Sequence, residues 1–369
     1  MAELFKNVYN AAFFDGLTAT LNKVVLGFDT AEFLQCIYDG DWEERELKQR
    51  MRHISNVLHS HLPGDFKQKT KTILRVITQL QIDGYKEDSI EYMFLPDFVE
   101  VYGLDDYDIS ISAFETITQF TSCEFAVRPF IIKYESLMIK QLHLWARHEH
   151  PSVRRLASEG SRPRLPWAMA IPSFKADPAP IMPILKTLKN DTSSSVRRSV
   201  ANNLNDISKD NPRTVIDVVK SWQGKSKETD VLLKHASRSL LKQGGGEIMS
   251  LFGFGSVDQV EIQKFRILTP IVKIGETLEF AFTLVNTNAQ AAKLRLEYGL
   301  YYQKANTSLS RKVFKISEKI YDGKSAANIE RKQSFRVITT RKFHPGKHQL
   351  SLIINGTEMQ KLDFRLACA

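Results

Sequence analysis

Two stretches decide the fold of this 369-residue chain: HPSVRRLASEG at residues 150–160 and DTSSSVRRSVANNL at residues 191–204. Both contain a Val-Arg-Arg element, and the two elements lie 43 residues apart, at Val153 and Val196. A weaker third copy, ETDVLLKHASRSLL, begins its apolar stripe at Val231. Self-similarity at this period is typical of paired helices that repeat along a chain. Because one pair cannot bury its own apolar face, we predict that the pairs stack into a solenoid with a concave groove.

The surrounding sequence, from residue 1 to about residue 245, also has the apolar period of helices. A clear stripe falls at intervals of three and four residues, and its members are Leu47, Met51, Ile54, Leu58 and Leu62. Turn signals such as Pro63-Gly64 separate the helices. Asp191, followed by a Val-Arg pair and small residues, resembles the HEAT repeat pattern. The sequence therefore predicts an all-α HEAT-like repeat solenoid over residues 1–245.

The composition changes after residue 243, where a glycine-rich stretch begins. We expect residues 246–256 to form a flexible linker, because five glycines lie in or beside this stretch. Beyond it, apolar residues alternate with polar ones, as they do in half-buried strands. The seven runs with this period are 259–268, 277–286, 292–303, 309–320, 328–338, 348–355 and 358–366. Seven short strands in about 110 residues predict an all-β immunoglobulin-like sandwich over residues 257–369, without the disulfide of antibody domains.

Charge is distributed unevenly along the chain, whose formal net charge is +9. Residues 1–125 hold 11 lysines and arginines against 21 acids, residues 126–255 hold 21 against 11, and residues 256–369 hold 19 against 10. An acidic front followed by two basic blocks indicates a polyanionic partner for the rear two-thirds. Surface lysines that only keep a protein soluble would give the same counts, so charge alone leaves both interpretations open.

Several classes of protein and of site are disfavoured by the sequence. The amino terminus lacks the basic start and apolar block of a signal peptide, and no stretch of about 18 apolar residues offers a membrane span. The three cysteines lie far apart without a CxxC pair, so we expect them to be reduced and buried. His143, His148 and His150 match no zinc spacing, so we expect no metal and no cofactor. These features predict a cytoplasmic protein without a membrane partner. Nothing in the sequence indicates an obligate dimer, so we expect a monomer.

A set of acids inside and beside the basic region is the strongest pointer to chemistry. Glu124 lies among apolar neighbours, Glu159 ends the helix after Val153, and Asp206 closes the second helix of the next repeat. Glu159 and Asp206 lie 47 residues apart, close to the repeat spacing, so neighbouring repeats would place both carboxylates on one face. Acids weaken phosphate binding, and a cationic substrate would explain their presence.

The loop SRPRLPW at residues 161–167 follows Glu159 and presents Trp167. Together with the HPSVRRLASEG block, the DTSSSVRRSVANNLNDISKDNP block and the appended β-domain, this loop resembles DNA alkylation-repair glycosylases of the HEAT-like repeat superfamily, and most closely the AlkC family. The resemblance covers the whole chain. It implies a bacterial enzyme that hydrolyses the N-glycosidic bond of 3-methyladenine, and of 3-methylcytosine, in double-stranded DNA without flipping the base. By the same resemblance, Glu124, Glu159 and Asp206 match the active-site carboxylates and Trp167 the stacking aromatic.

The chemistry of an N3-alkylated base agrees with such a site. The base is a cation and already a good leaving group, so the protein must supply negative potential beside the oxocarbenium-like sugar and a positioned water, rather than a general acid. A carboxylate about 4 Å from that charge, at an effective dielectric near 20, contributes roughly 4 kcal/mol, and less where the ground state already carries the charge. Phosphate contacts are expected from the basic β-domain and from Arg154, Arg155, Arg162, Arg164, Arg197 and Arg198.

Structural interpretations of the same residues stay open at this stage. Glu124 could be a buried acid that pairs with Arg128 or with a helix terminus. Glu159 could form an exposed helix pair with Arg155, and Asp206 could cap a helix end. Trp167 could fill the seam between repeats, and the arginine pairs could hold neighbouring repeats together. The main alternative function is a non-enzymatic HEAT-repeat scaffold that binds DNA or an acidic protein, since such repeats commonly bind without chemistry.

Overall fold

The computed structural model describes residues 4–85, 89–337 and 341–368, and the chain forms two compact units. The helical unit comprises Met1–Val215 and Gln223–Ala236, and the β-sandwich unit comprises Ile216–Trp222 and Ser237–Ala369. The α-helices are α1 (Ala11–Val24), α2 (Thr30–Ile37), α3 (Leu47–His61), α4 (Phe66–Ile82), α5 (Phe94–Tyr102), α6 (Tyr107–Ile117), α7 (Val127–Lys133), α8 (Glu135–Trp145), α9 (Pro151–Glu159), α10 (Pro172–Ala176), α11 (Met182–Leu188), α12 (Ser194–Asp210), α13 (Pro212–Trp222), α14 (Lys227–Ala236), α15 (Arg238–Gln243) and α16 (Gly246–Leu251). Short 3-10 helices lie at Phe5–Val8, Ile90–Met93 and Ala179–Ile181. Within the described ranges, no helix is both long and apolar enough to cross a bilayer.

Apolar stripes and capping residues explain where the helices of the helical unit lie. The predicted stripe of α3 is buried at Met51, Ile54 and Leu58. α8 packs against α9 and α11 against α12, and the pairs also meet each other, α8 with α11 and α9 with α12. α12 in turn packs against α14. The two Val-Arg-Arg stretches therefore lie on α9 and α12, the equivalent helices of two neighbouring pairs.

Two sheets form the β-sandwich unit, and their strands are β1 (Val260–Ile267), β2 (Ile271–Lys273), β3 (Thr277–Asn286), β4 (Ala292–Gln303), β5 (Leu309–Tyr321), β6 (Ser325–Ser334), β7 (Gly346–Ile354) and β8 (Thr357–Ala367). One sheet has the order β1-β3-β6, the other β2-β8-β7-β4-β5, and β2 pairs with β8 in parallel while the other pairs are antiparallel. Side chains of both sheets, including Phe280, Leu300 and Leu350, fill one apolar core. An all-helical region followed by an all-β sandwich is thereby confirmed.

All seven predicted runs contain a strand. β3 and β4 have the predicted bounds, 277–286 and 292–303. β6 begins at Ser325, before the predicted run, and ends at Ser334, while residue 338 lies outside the described residues. The prediction missed β2, because three residues are too few to show an alternating period.

The glycine-rich stretch does not match the predicted flexible linker at 246–256. Helix α16 occupies its first half, and Asn355 Nδ2 donates to Gly255 O at 3.0 Å. Gly244 ends α15 with a φ of 82°, and a Cβ on this residue would lie 2.5 Å from Gly356 O. Glycine is therefore required at Gly244 for close packing and a left-handed backbone, and it ties α15 to the turn between β7 and β8.

Candidate active site

The seam between α9 and α12 buries polar side chains where packing alone would place apolar ones. α9 starts at Pro151, whose fixed φ suits the first helical position, and the His150 ring accepts a hydrogen bond from Ser152 N. The buried polar residues here are Ser158, Glu159, Ser161, Arg162, Ser199, Asn203, Asn205, Asp206 and Ser208. Three of them, at positions 199, 203 and 206, are four and three residues apart and so share one face of α12.

Arg162 lies between two buried carboxylates. Its Nε is 2.7 Å from Asp206 Oδ2, and its Nη1 is 2.5 Å from Glu159 Oε1. The side chains of Glu159, Arg162 and Asp206 are 6%, 8% and 2% exposed. Ser199 Oγ donates to Glu159 Oε2, and Lys209 Nζ lies 2.8 Å from Asp206 Oδ1. We call Glu159, Arg162 and Asp206 the acid–arginine cluster.

The ionic state of the cluster follows from its contacts. Burial opposes the charge on Arg162, but Glu159 and Asp206 outweigh burial and raise the pKa of its guanidinium. Lys209 adds a second cation beside Asp206, from the more exposed side. Because both carboxylates are fixed by donors, their remaining lone pairs point in set directions without further reorganisation.

Arg128, from α7, fixes the backbone of the loop that follows α9. Its Nη1 donates to Gly160 O at 2.9 Å and to Arg162 O at 2.8 Å, and its Nε donates to Met169 O at 2.7 Å. Its Nη2 is buried without a hydrogen-bond partner. Burial lowers the pKa of Arg128 to about 10, so the group stays protonated at neutral pH. Arg128 thereby holds both ends of the loop over residues 160–169.

Glu124 forms a second acid–arginine pair near the first. Arg155 Nη2 donates to Glu124 Oε2 at 2.8 Å, and Ser122 Oγ donates to the same oxygen at 2.8 Å. The carboxylate lines a cleft of about 350 Å³. Glu124, Glu159 and Asp206 all act electrostatically on the buried guanidinium of Arg128 and raise its pKa, so the three predicted carboxylates share one neighbouring cation.

Trp167 is presented to solvent rather than packed into a seam. Its side chain is 59% exposed, and its backbone has a φ of 64°, in the left-handed region. Phe5 contacts the indole edge to face, with ring centroids 6.0 Å apart. Lys48 Nζ donates to Trp167 O at 2.9 Å. The interpretation of Trp167 as a plug between repeats is therefore wrong.

The arginines predicted to bind phosphate have different surroundings. For Arg162 the expectation is corrected, because its guanidinium is buried between two acids. Arg154 pairs with Asp191 through Nε and Nη2, and Arg164 pairs with Asp210 in the same bidentate way. Arg155 pairs with Glu124. Arg197 Nη1 donates to the backbone oxygens of Asp191 and Thr192. Arg198 is exposed and lines a cleft of about 330 Å³.

Some details of the site differ from the sequence interpretation. Asp206 does not close its helix, because α12 continues to Asp210. Glu159 does not form an exposed pair with Arg155. The prediction missed Ser199, which lies seven residues before Asp206 on the same helix face and so could have been found from helical spacing.

The described residues contain no group of three or more His, Cys, Asp or Glu side chains arranged to hold a metal ion. His148 Nδ1 instead accepts a hydrogen bond from His150 N at 2.9 Å. Cys123 is buried and free as expected, whereas Cys36 and Cys368 are exposed, so burial was predicted wrongly for two of the three.

Comparisons with known proteins agree with this architecture. Residues 261–368 match the family model of the C-terminal Ig-like domain of the uncharacterised protein YhaZ, and residues 181–210 match the HEAT repeat. The uncharacterised protein YhaZ of Bacillus subtilis (strain 168) is 40% identical, over 99% of this chain and 100% of its own length. A Pseudomonas fluorescens alkylpurine DNA glycosylase, AlkC, solved bound to DNA containing an abasic site analog, is 33% identical with a TM-score of 0.92 and covers 99% of this chain and 100% of its own. Since both likenesses span the helical repeats and the Ig-like sandwich alike, the chain belongs to the AlkC family.

Proposed function

We propose that the protein is a DNA glycosylase that hydrolyses the N-glycosidic bond of cationic N3-alkylated bases, 3-methyladenine and 3-methylcytosine, in double-stranded DNA without base flipping. The observation that carries the proposal is the buried acid–arginine cluster. Apolar side chains of the same volume would often stabilise such a seam equally well, so stability does not explain why the carboxylates are there. The structural likeness to an alkylpurine DNA glycosylase solved on abasic DNA supports DNA as the partner.

The reaction assigns a task to each group. The electrons of the bond between C1′ and the base nitrogen leave with the cationic base, which becomes neutral. Glu159 and Asp206 lower the energy of the oxocarbenium-like sugar, and a water oxygen then bonds to C1′ while its proton passes to a carboxylate. The products are the free base and an abasic site. The departing base needs no proton, so no general acid is required.

The ion pairs of Glu159 and Asp206 reduce the rate enhancement that we expect from each carboxylate. An isolated carboxylate about 4 Å from the sugar cation would contribute roughly 4 kcal/mol at an effective dielectric near 20, on the order of a thousandfold in rate. Arg162 and Lys209 offset part of the negative potential of Glu159 and Asp206. We therefore expect each acid to contribute between about tenfold and a hundredfold.

Phosphate binding is assigned to exposed cations outside the cluster. Arg198 is exposed beside a cleft and forms no ion pair among the described residues. The basic β-sandwich unit supplies further contacts along the DNA backbone, as its excess of lysine and arginine over acids suggests. On this proposal the protein acts as a monomer on double-stranded DNA in the bacterial cytoplasm.

Release of free base under single-turnover conditions tests the proposal. Duplex DNA carrying 3-methyladenine is incubated with excess protein, and Asp206→Asn and Glu159→Gln are compared with Asp210→Asn. Asp210 is the matched control, because it pairs with an arginine one turn further along α12 but lies outside the cluster. We expect the two cluster variants to lose between about tenfold and a hundredfold in rate while binding the duplex normally, and the control to stay within about threefold.

Two outcomes would contradict the proposal in different ways. If the unaltered protein binds the duplex and releases no base, a non-enzymatic scaffold explains the fold better. If Asp206→Asn releases base as fast as Asp210→Asn, the protein is a glycosylase whose cluster is structural. Running the assay with 3-methylcytosine tests the second substrate in the same way.

A further inference from the structure

Trp167 is held in a conformation that a tryptophan adopts rarely. Its φ of 64° lies in the left-handed region, which costs free energy for a bulky residue and persists only when the surroundings fix it. The strained residue is also 59% exposed, while Trp42, Trp145 and Trp222 are 6% exposed or less. A strained backbone that brings an indole into solvent serves no packing purpose, so its cause lies in the contacts around it.

Two cations hold the backbone of the loop, one at Trp167 and one two residues after it. Lys48 Nζ, from α3, donates to Trp167 O at 2.9 Å across 119 residues of sequence. The same ammonium lies 4.9 Å from the centre of the Phe125 ring, next to Glu124 in the chain. Two residues further on, Arg128 Nε donates to Met169 O at 2.7 Å and fixes the backbone there. Lys48 therefore joins the strained carbonyl to the segment that carries one of the three acids.

The amino-terminal region supplies a second aromatic ring at the same place. Phe5 is 65% exposed, and its ring meets the Trp167 indole at an interplanar angle of 71°. Edge-to-face pairs of this kind are attractive and orient both rings. The neighbouring Lys6, by contrast, donates to Glu43 O within the amino-terminal region and reaches no part of the loop over residues 160–169. Within the described residues 4–50, Phe5 and Lys48 are the contacts that bear directly on Trp167.

We propose that Lys48, assisted by Phe5, is a positioning residue that holds the Trp167 indole outward so that it stacks on the DNA bases beside the lesion. The inference rests on the proposed glycosylase function and gives the amino-terminal helices a part in it. An indole and a phenyl ring offer a flat apolar surface that suits the face of any nucleobase. Lys48 acts on the sugar chemistry only through the position of Trp167.

The test compares Lys48→Met, Lys48→Arg and a matched lysine variant in the full-length protein. Lys67→Met is the control, because Lys67 is an exposed lysine on the neighbouring helix α4 and makes no contact with the loop over residues 160–169. We expect Lys48→Met to lower the single-turnover rate of base release about tenfold, Lys48→Arg to retain most of it, and Lys67→Met to behave as the unaltered protein. Each variant is also made with Trp167→Ala.

The double variants separate positioning from general stability. If Lys48 acts through the indole, Lys48→Met will cause little further loss once Trp167 is alanine. A full tenfold loss in both backgrounds, or no loss in either, would overturn the proposal. Acrylamide quenching gives a second readout that needs no activity, since Trp167 is the exposed tryptophan: unmodified duplex DNA should protect its fluorescence in the unaltered protein and less so in Lys48→Met.

Failure of the inference can be told from failure of the proposed function. A protein that releases no base at all rejects the glycosylase, whatever the quenching shows. A protein that releases base normally in Lys48→Met, with its indole equally protected by DNA, rejects only the positioning role.

Discussion

The seam between α9 and α12 and the core between the two sheets are both buried, but they consist of different side chains. The seam holds the acid–arginine cluster with Ser199 and Asn203, whereas the core holds aliphatic and aromatic side chains such as Phe280 and Leu300. Burial of apolar side chains stabilises the core by about 1.5–3 kcal/mol each. A buried ion pair is often no more stabilising than apolar side chains of the same volume. The need for stability therefore explains which side chains fill the core, but it does not explain those of the seam. A chemical role for the seam is consistent with this difference.

Removing the cation from the seam should have the largest effect. Arg162→Met leaves Glu159 and Asp206 buried without the guanidinium between them, and breaking a buried ion pair in this way costs about 3–5 kcal/mol. We expect hydrogen exchange to show lost protection in α9 and α12, and urea unfolding of the helical unit to shift to lower concentration.

A neutral version of the seam sharpens the same comparison. In the triple variant Glu159→Gln, Arg162→Met, Asp206→Asn, no unpaired carboxylate remains between α9 and α12, so part of the stability lost in Arg162→Met should return, while the buried Arg128 loses the attraction of two acids. Base release should be lost in the triple variant, because both carboxylates are gone. A triple variant as unstable as Arg162→Met would show that the seam needs its charges to fold, and the contrast with the core would then fail.

The repeat pattern predicted only part of this seam. The spacing of the Val-Arg-Arg elements brings Glu159 and Asp206 to within about one helical turn of equivalent positions on stacked helices, where the two side chains can share a partner. Arg162 could not be placed in the same way, since it follows α9 in a loop without a period. Its burial depends on Arg128, 34 residues earlier, which fixes the loop through backbone oxygens. Such a contact leaves no pattern in one sequence.

The β-sandwich unit should be sensitive to close packing instead of charge. A methyl group at Gly244 would meet Gly356 O at 2.5 Å and would sit on a left-handed backbone. Gly246 has an ordinary φ and no atom within 4 Å of its would-be Cβ, so it is a matched control in the same stretch. We expect Gly244→Ala to destabilise the unit by about 1–3 kcal/mol and Gly246→Ala to be neutral or to stabilise it by up to about 1 kcal/mol.

Urea unfolding of both variants, at low and at high salt, measures this difference. Packing strain should not respond to salt, whereas the effect of Arg162→Met should, to the extent that water reaches the cluster. Equal stabilities for Gly244→Ala and Gly246→Ala would mean that this stretch is a flexible linker, as the glycine-rich sequence predicted. That prediction was made because glycine content alone does not distinguish a loose chain from one whose glycines permit close contact.

The strands of this unit were easier to predict than the glycines. Alternation over ten or more residues, as in 277–286 and 292–303, reports directly which side chains face the core. Asn355 and Gly356 both have positive φ, the geometry that an Asn-Gly hairpin turn requires and that the sequence indicated. The three-residue β2 depends on its partner β8 for its existence, and local sequence carries no sign of that pairing.

His348 makes the stability of the core depend slightly on pH. We expect this effect to be smaller than those of Arg162→Met and Gly244→Ala. The ring is fully buried against Phe335 and Phe364, and Gln303 N donates to its Nδ1 at 3.4 Å, so Nε2 carries the proton and donates to His344 O. Burial lowers the pKa of His348 below 6.5.

In the unfolded chain the imidazole takes up its proton first as the pH falls, so stability is present above pH 6.5 and is lost below it, by at most about 1.4 kcal/mol per pH unit for one proton. Exchange protection of β4 and β7, corrected for intrinsic rates, should therefore fall between pH 7.5 and 5.5 in the unaltered protein and change less in His348→Gln. His344→Gln is the control. His344 gives the ring a backbone oxygen, and its own side chain lowers the pKa of His348 less than burial does, so its replacement should keep most of the pH dependence. If protection in β4 and β7 is independent of pH, burial does not lower the pKa of His348, and the ring takes up its proton as readily in the folded chain as in the unfolded one.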